Sequence, residues 1–392
     1  MKIINLDYAA AAPVDPAVLE VMLPYFTDHF GNPSSGHQLG RKPVEAIEEA
    51  RVKVAHLIGA DARDIIFTSS ASEANNLAIK GLVEAKKKKG NHIIASSIEH
   101  FSVLNPLKTL QKDGFEVTLL PVDQYGLVDP EKLAEAITDK TILVSIQAAN
   151  PEIGTIQQLD RLAAVARQRE VIFHTDAAAA AGWIPLAVDN PGVDLLTIAG
   201  DQFYGPKGAA ALYVRRGVRL VPQVEGGIQE RGMRAGTENV AAIVGFGEAA
   251  RLATESLAER AEKTALIRDR LKESLFREIP HLHLNGHPEK RLPRNLNVAV
   301  EFVEGEALLM RLEMTGIYVS SGSSCASQAL KSSHVLKAIG LPPEKAQGSL
   351  QLTLGHDSSL EDIPYITEQL AQVAELLRNM SPLYHKFIKE GQ

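Results

Sequence analysis

The chain carries a single cysteine, Cys325. No intrachain disulfide can form, so a secreted disulfide scaffold is excluded. There is also no basic excess, since the formal net charge is -7. A surface that tracks a phosphate backbone ordinarily needs surplus Lys and Arg, so nucleic acid is not expected as a partner. The first residues, MKIINLDYAAAAPV, hold no long apolar run behind a basic start, and Asp7 and Pro13 interrupt them early. Neither a signal peptide nor a membrane span is expected, and the expected location is the cytoplasm. No internal repeat is visible. Asp176, Asp201, His100 and His174 are oxygen and nitrogen donors, but they show no compact ligand spacing, so no metal is expected.

What is present is a chain of 392 residues, 45% hydrophobic and 23% charged. That is enough for one large α/β domain and a smaller one, each with its own core. Short apolar runs (DIIFTSS, HIIASS, EVTLLPV, ILVSIQ, VIFHTDA, LLTIAG, AALYVRR) read as strands. The amphipathic stretches between them, such as PVEAIEEARVKVAHLIG and DRLAAVARQRE, read as helices. This alternation predicts an α/β fold with a mostly parallel, doubly wound sheet, whose ligands sit beyond the carboxyl ends of the strands. A long helical stretch from Ala241 to Phe276 leads into RNLNVAVEF, ALLMRLEMTG, a Ser/Gly-rich loop, SLQLTLG and a final helix, an α+β pattern. The expected division is a large domain over 15–260 and a small α+β domain made of 1–14 and 261–392, which carries the Cys325 loop. The run Lys86 to Lys89 reads as cations at a helix C-terminus facing water.

Several segments, LDYAAAAPVDP, GNPSSGH, FTSSASEANNLAIKG, SSIEH, NPEIGTIQ, FHTDAAAAAG, YGPKGAAALYVRR, GGIQERGMRAGTENV and SSGSSCAS, follow one another from Leu6 to Gly355. Together they resemble the cysteine desulfurases of the class-V aminotransferases. The resemblance implies a pyridoxal-phosphate (PLP) fold of type I, a homodimer, and active sites at the subunit interface. Chemistry of that kind needs a carboxylate at the pyridinium nitrogen, backbone amides around the phosphate, a grip on the substrate carboxylate and a mobile thiol. By resemblance, Ser70, Ala71 and Ser72 cradle the phosphate, His100 stacks over the ring and Asp176 meets the ring nitrogen. Thr237 reaches the phosphate from the second subunit, and Cys325 is the persulfide or cluster thiol.

Other positions depart from the family pattern. Ala199-Gly200-Asp201-Gln202 stands where the family reads Ser-Gly-His-Lys. Pro151 replaces an asparagine, Ala179 a glutamine, Ile228 a glycine and Gln351 the arginine that binds the substrate carboxylate. An amide nitrogen is not nucleophilic, and loss of a positioned base costs on the order of 10²–10⁴ in rate. These exchanges make the pocket more negative, with Asp176 and Asp201 short of balancing cations. Lys207, in YGPKG, reads as a turn residue. His100 and Asp176 read as buried polar groups that hydrogen-bond each other, and Ala177 to Ala181 as decay to small residues.

The leading expectation is therefore a desulfurase-like protein without ordinary PLP-dependent activity and with no covalently bound cofactor, PLP binding non-covalently at most. It would be a homodimeric scaffold, or a partner in sulfur transfer and iron–sulfur cluster assembly through Cys325, meeting an iron–sulfur scaffold or sulfur-acceptor protein. One alternative is an enzyme with altered or residual PLP chemistry, a cysteine desulfurase or related lyase or transferase. Another is a regulatory subunit that lends Thr237 to an active paralogue.

Overall fold

Seven of the apolar runs are strands of one sheet. The computed structural model describes residues 2–189, 192–321 and 333–390. Within them the strands are β1 (Ile4–Asn5), β2 (Ile65–Thr68), β3 (His92–Ser96), β4 (Glu116–Leu120), β5 (Thr141–Ser145), β6 (Ile172–Asp176), β7 (Leu195–Ala199), β8 (Ala210–Val214), β9 (Leu282–Asn285), β10 (Asn295–Val300), β11 (Ile317–Tyr318) and β12 (Ser349–Thr353). The large sheet runs β2-β8-β7-β6-β5-β3-β4. Strands β3 to β7 pair in parallel, while β8 is antiparallel to both its neighbours. Every residue of β3, β5, β6 and β7 is buried, as a parallel sheet covered on both faces requires, and only the edge strand β4 is part-exposed.

The long helix is Val240–Glu278. Its first half, with Ala242, Phe246 and Ala249, packs into the core of the large sheet. Its second half, with Ile267, Leu271 and Leu275, packs into the core of the small sheet β12-β10-β9. One helix thus serves both hydrophobic clusters. Small residues let it lie close to the helix Gln38–Leu57: a methyl group on Gly247 would come within 2.6 Å of the Ala50 Cα. The N-terminus also joins the two cores. Ile4 and Leu6 sit with the small sheet, where β1 pairs β11 in parallel, and Tyr8 and Ala12 sit with the large one. The C-terminal helical stretch is two helices, Ile363–Asn379 and Pro382–Glu390, parted at Ser381 because proline cannot continue the first. Among the described residues, no helix is long and apolar enough to cross a membrane.

A buried ion pair fastens the glycine-rich turn that carries Ile228. Arg51 donates from both terminal nitrogens to Glu230, at 2.7 and 2.8 Å, and its guanidinium lies 4.7 Å over the Phe67 ring. Glu230 also accepts the Phe67 amide at 2.7 Å and sits at φ 45. Ile228 itself is 89% exposed. Without Glu230 the buried Arg51 keeps only the exposed Glu48 as a counter-charge among the described residues, and breaking a buried pair costs about 3–5 kcal/mol. Glu230→Ala is expected to lose that much in urea denaturation, and Arg51→Met/Glu230→Leu to lose clearly less. Equal losses from the two variants would show that the pair does not organise this turn.

Candidate functional site

The carboxyl end of β6 places Asp176 at the edge of the large sheet, 8% exposed. One carboxylate oxygen accepts the Ala178 amide at 3.0 Å. The other accepts the side-chain amide of Asn75 at 2.7 Å. The same Asn75 nitrogen donates to Ser102 Oγ at 2.8 Å, and Ser102 Oγ lies 2.7 Å from His100 Nδ1. His100 caps the helix Phe101–Lys112, its Nδ1 accepting the Ser102 backbone amide. With that amide donated to it, Nδ1 is assigned as an acceptor of the Ser102 hydroxyl as well, which leaves the ring proton on Nε2. The sequence suggested a hydrogen bond between His100 and Asp176, and the structure corrects this: they are not bonded to each other. Two neutral groups, Asn75 and Ser102, stand between them and fix both. Sequence reading missed both residues. The signal for Asn75 was its place beside Ala74, Leu77 and Ala78, where a polar side chain falls in a buried helical run.

The turn after β2 leads into the helix Ala71–Asn76, which continues through a π-helical turn to Lys86. Ser70 is its N-cap and accepts the Glu73 amide at 3.1 Å. Glu73 reaches back to the Ser69 amide at 3.0 Å and takes Arg234 Nε at 2.9 Å. This capping box fixes the turn and leaves the amides around Ala71 and Ser72 at the positive end of the helix. Ser70 and Ser72 are exposed, as is Thr237 three residues beyond Arg234.

Position 202 lies on the short 3-10 turn Gly200–Phe203, which follows the buried Ala199. The Gln202 side chain is committed at both ends: Oε1 accepts Arg294 Nη2 at 2.8 Å, and Nε2 donates to the Ala9 carbonyl at 3.3 Å. Its backbone carbonyl accepts Arg294 Nη1 at 3.0 Å and Trp183 Nε1 at 2.9 Å. Arg294 is buried and stacks on Trp183 at 4.7 Å, and burial pulls its pKa down to about 10. The expectation of a pocket short of cations is corrected by this guanidinium, which no local sequence pattern places beside position 202. Lys207 is exposed in the turn before β8.

Two other exchanged positions, 351 and 151, are bonded to each other. Gln351, buried on β12, donates to the Pro151 carbonyl at 2.7 Å, and Asn295 donates to the same carbonyl at 3.0 Å. Ala179 is buried, and Ala177, Ala180 and Ala181 are wholly so, packed in the cluster that holds Trp183; these alanines are core. His174 bridges Ser145 and Thr197, and burial pushes its pKa down to about 3, so it is a neutral strand residue.

Beside this site two carboxyls are fully enclosed. Glu99 accepts from Ser96 at 2.5 Å and from the Gln147 amide at 2.9 Å, while Glu152 accepts from Ser333 at 2.8 Å. Burial raises both to about 8, the nearby Asp176 adding to the rise at Glu99. Their second oxygens, Glu99 Oε2 and Glu152 Oε1, have no hydrogen-bond partner among the described residues. His334 contacts the Glu99 carbonyl at 3.0 Å and the Phe101 ring at 4.8 Å. Cys325 lies outside the described residues.

The donor set suits a phosphorylated pyridine at two points: amides and hydroxyls at the helix start for the phosphate, and a fixed carboxylate for a ring nitrogen. At the third point, position 202, it offers an amide and no amine.

The class-V aminotransferase family model matches residues 4–365. A protein named cysteine desulfurase IscS 1 from Archaeoglobus fulgidus is 51% identical over 380 residues, 97% of this chain and 99% of its own. Cysteine desulfurase IscS of Methanosarcina thermophila is 49% identical over 98% of this chain and 95% of its own. Among solved structures, a NifS-like protein superposes with a TM-score of 0.90 at 35% identity, covering 96% of this chain and all of that one. SspA in complex with cysteine gives 0.81 at 37% identity, over 90% of this chain and 99% of its own. The expectation of a scaffold without PLP chemistry is overturned by this relatedness to named desulfurases, which spans the whole chain and not isolated motifs. The expectation of no covalently bound cofactor falls with it. Both readings gave a few exchanged positions more weight than the frame around them.

The enclosed carboxyls make a testable signature. Each binds a proton in the folded chain up to about 8 but ionises near 4.5 when exposed. Between those values only the folded state holds the proton, so stability falls as pH rises from about 5 to 8. Glu99→Gln is neutral throughout and removes that share. Its melting temperature is expected to gain on the wild type steadily across this range. Parallel curves would show that Glu99 is ionised in the fold.

Proposed function

The chain belongs to the class-V aminotransferase family, and from that premise we propose a PLP-dependent enzyme of altered chemistry, a cysteine desulfurase or a related lyase or transferase acting on an amino acid. The observation that carries this reading is the hydrogen-bonded series Asp176–Asn75–Ser102–His100, kept whole at the carboxyl edge of the sheet. A site that had lost its ligand would have little reason to hold a carboxylate ready by two donors beside a capped, anion-attracting helix start.

Bound there, PLP supplies an electron sink for bonds at the amino-acid Cα. The residues have separate tasks. Asp176, oriented by Asn75 and the Ala178 amide, would hold the ring nitrogen. Ser70, Ala71 and Ser72 would hold the phosphate, joined by Thr237 of a second copy of the chain. His100, fixed by Ser102, would bound the ring. Cys325 would attack the substrate sulfur as a thiolate, forming a persulfide S–S bond as the substrate C–S bond breaks and its electron pair stays with the carbon that becomes alanine, and would pass that sulfur to an acceptor protein, in a reducing cytoplasm where a lone thiol stays reduced. The Gln351 amide is already engaged by Pro151, so the substrate carboxylate is not gripped there as an arginine would grip it. Gln202 offers no amine to the cofactor's aldehyde; borohydride reduction followed by peptide mapping tests whether a lysine elsewhere in the chain supplies one.

The direct test supplies purified protein with PLP, L-cysteine and an excess of a dithiol reductant that releases persulfide sulfur as sulfide, and follows alanine and sulfide together. Equal amounts of both are expected. Asp176→Ala is expected to lower the rate roughly 10–100-fold, the worth of one charge-assisted hydrogen bond. If no alanine forms at any cofactor concentration, desulfuration of cysteine is not the activity.

A further inference from the structure

Arg294 is a buried cation whose described partners are all neutral. It reaches across from the turn before β10 to the 3-10 turn after β7 and binds Gln202 twice, at the backbone carbonyl and at Oε1. Trp183 completes the enclosure: its ring lies under the guanidinium, and its Nε1 donates to the same Gln202 carbonyl. On the far side, Gln202 Nε2 bonds to Ala9 of the N-terminal segment. Three separate stretches of chain meet on one glutamine. Among the described residues Arg294 makes no salt bridge.

We propose that Arg294 is a positioning residue that fixes the Gln202 amide and sets the charge position 202 tolerates, admitting an acceptor and rejecting an amine. The reason is electrostatic. Nη2 stands 2.8 Å from Oε1, so a group of similar length ending in an ammonium would bring two cations together where water is scarce. The groups facing the guanidinium do not cancel that repulsion. Tyr204 and Asp201, on the same turn as Gln202, favour the charged form, while Arg260, on the helix Val240–Glu278, opposes it and itself lies 5.1 Å from the Trp183 ring. Residues 202 and 294 thus act as one unit, 92 positions apart. The arrangement uses protein atoms only, so it stands or falls apart from the activity proposed above.

The test compares Gln202→Lys with Gln202→Met, a chain of similar length without charge, each in the wild-type and the Arg294→Gln background, by thermal melting without cofactor. Gln202→Lys is expected to melt several degrees below Gln202→Met at pH 7. A lysine whose pKa is lowered in the fold costs stability below its unfolded value, so the gap is expected to narrow as pH rises toward about 10. In the Arg294→Gln background the gap is expected to close at pH 7 as well. The inference is overturned if Gln202→Lys and Gln202→Met melt together at pH 7, or if the gap survives removal of Arg294. Should Gln202→Lys fail to fold at pH 7, recovery of the fold in the Arg294→Gln background supports the inference, and failure there as well overturns it.

Discussion

The carboxylate of Asp176, held at the end of β6 by the side-chain amide of Asn75, is the contact around which the site is arranged. Strands β3, β5, β6 and β7 are buried along their whole length, so polar side chains find room where those strands end. Asp176 emerges there only 8% exposed and needs donors. Asn75 provides one, and in doing so ties the helix that begins at the phosphate-type turn to the sheet. Its second bond, to Ser102, carries the same constraint to the helix that His100 caps. Three elements from distant parts of the chain are thereby set in register by one amide.

The exchanged positions follow the same rule. Gln202 is paired with Arg294 and Ala9, and Gln351 with Pro151. Neither amide is left as an orphan. A buried polar group without a partner costs about 1–3 kcal/mol, so partners are expected to change together when a buried residue changes. Both exchanged amides are thus held by partners within the protein.

Much of the fold is legible in local sequence pattern. The β-branched runs became the seven strands of the large sheet, and the Ala/Glu-rich stretch became the helix Val240–Glu278, because both depend on local periodicity. The site was legible only in its anchors. Asp176, His100 and Ser70 could be placed by resemblance, whereas Asn75, Ser102 and Arg294 could not. Their importance comes from partners 101, 27 and 92 positions away, and no local pattern reports such contacts. The cation beside position 202 was missed for the same reason, since Arg294 lies far along the chain from it. The functional reading erred by weighing losses at single positions above a relatedness that covers almost the entire chain.

The measurement that tests the account most directly is the absorption spectrum of the protein after incubation with PLP and removal of free cofactor by gel filtration, run beside Asp176→Ala. The account predicts that the wild type retains PLP with a defined visible band, and that the variant retains less or shows a displaced band. A wild-type protein that emerges without PLP would contradict it.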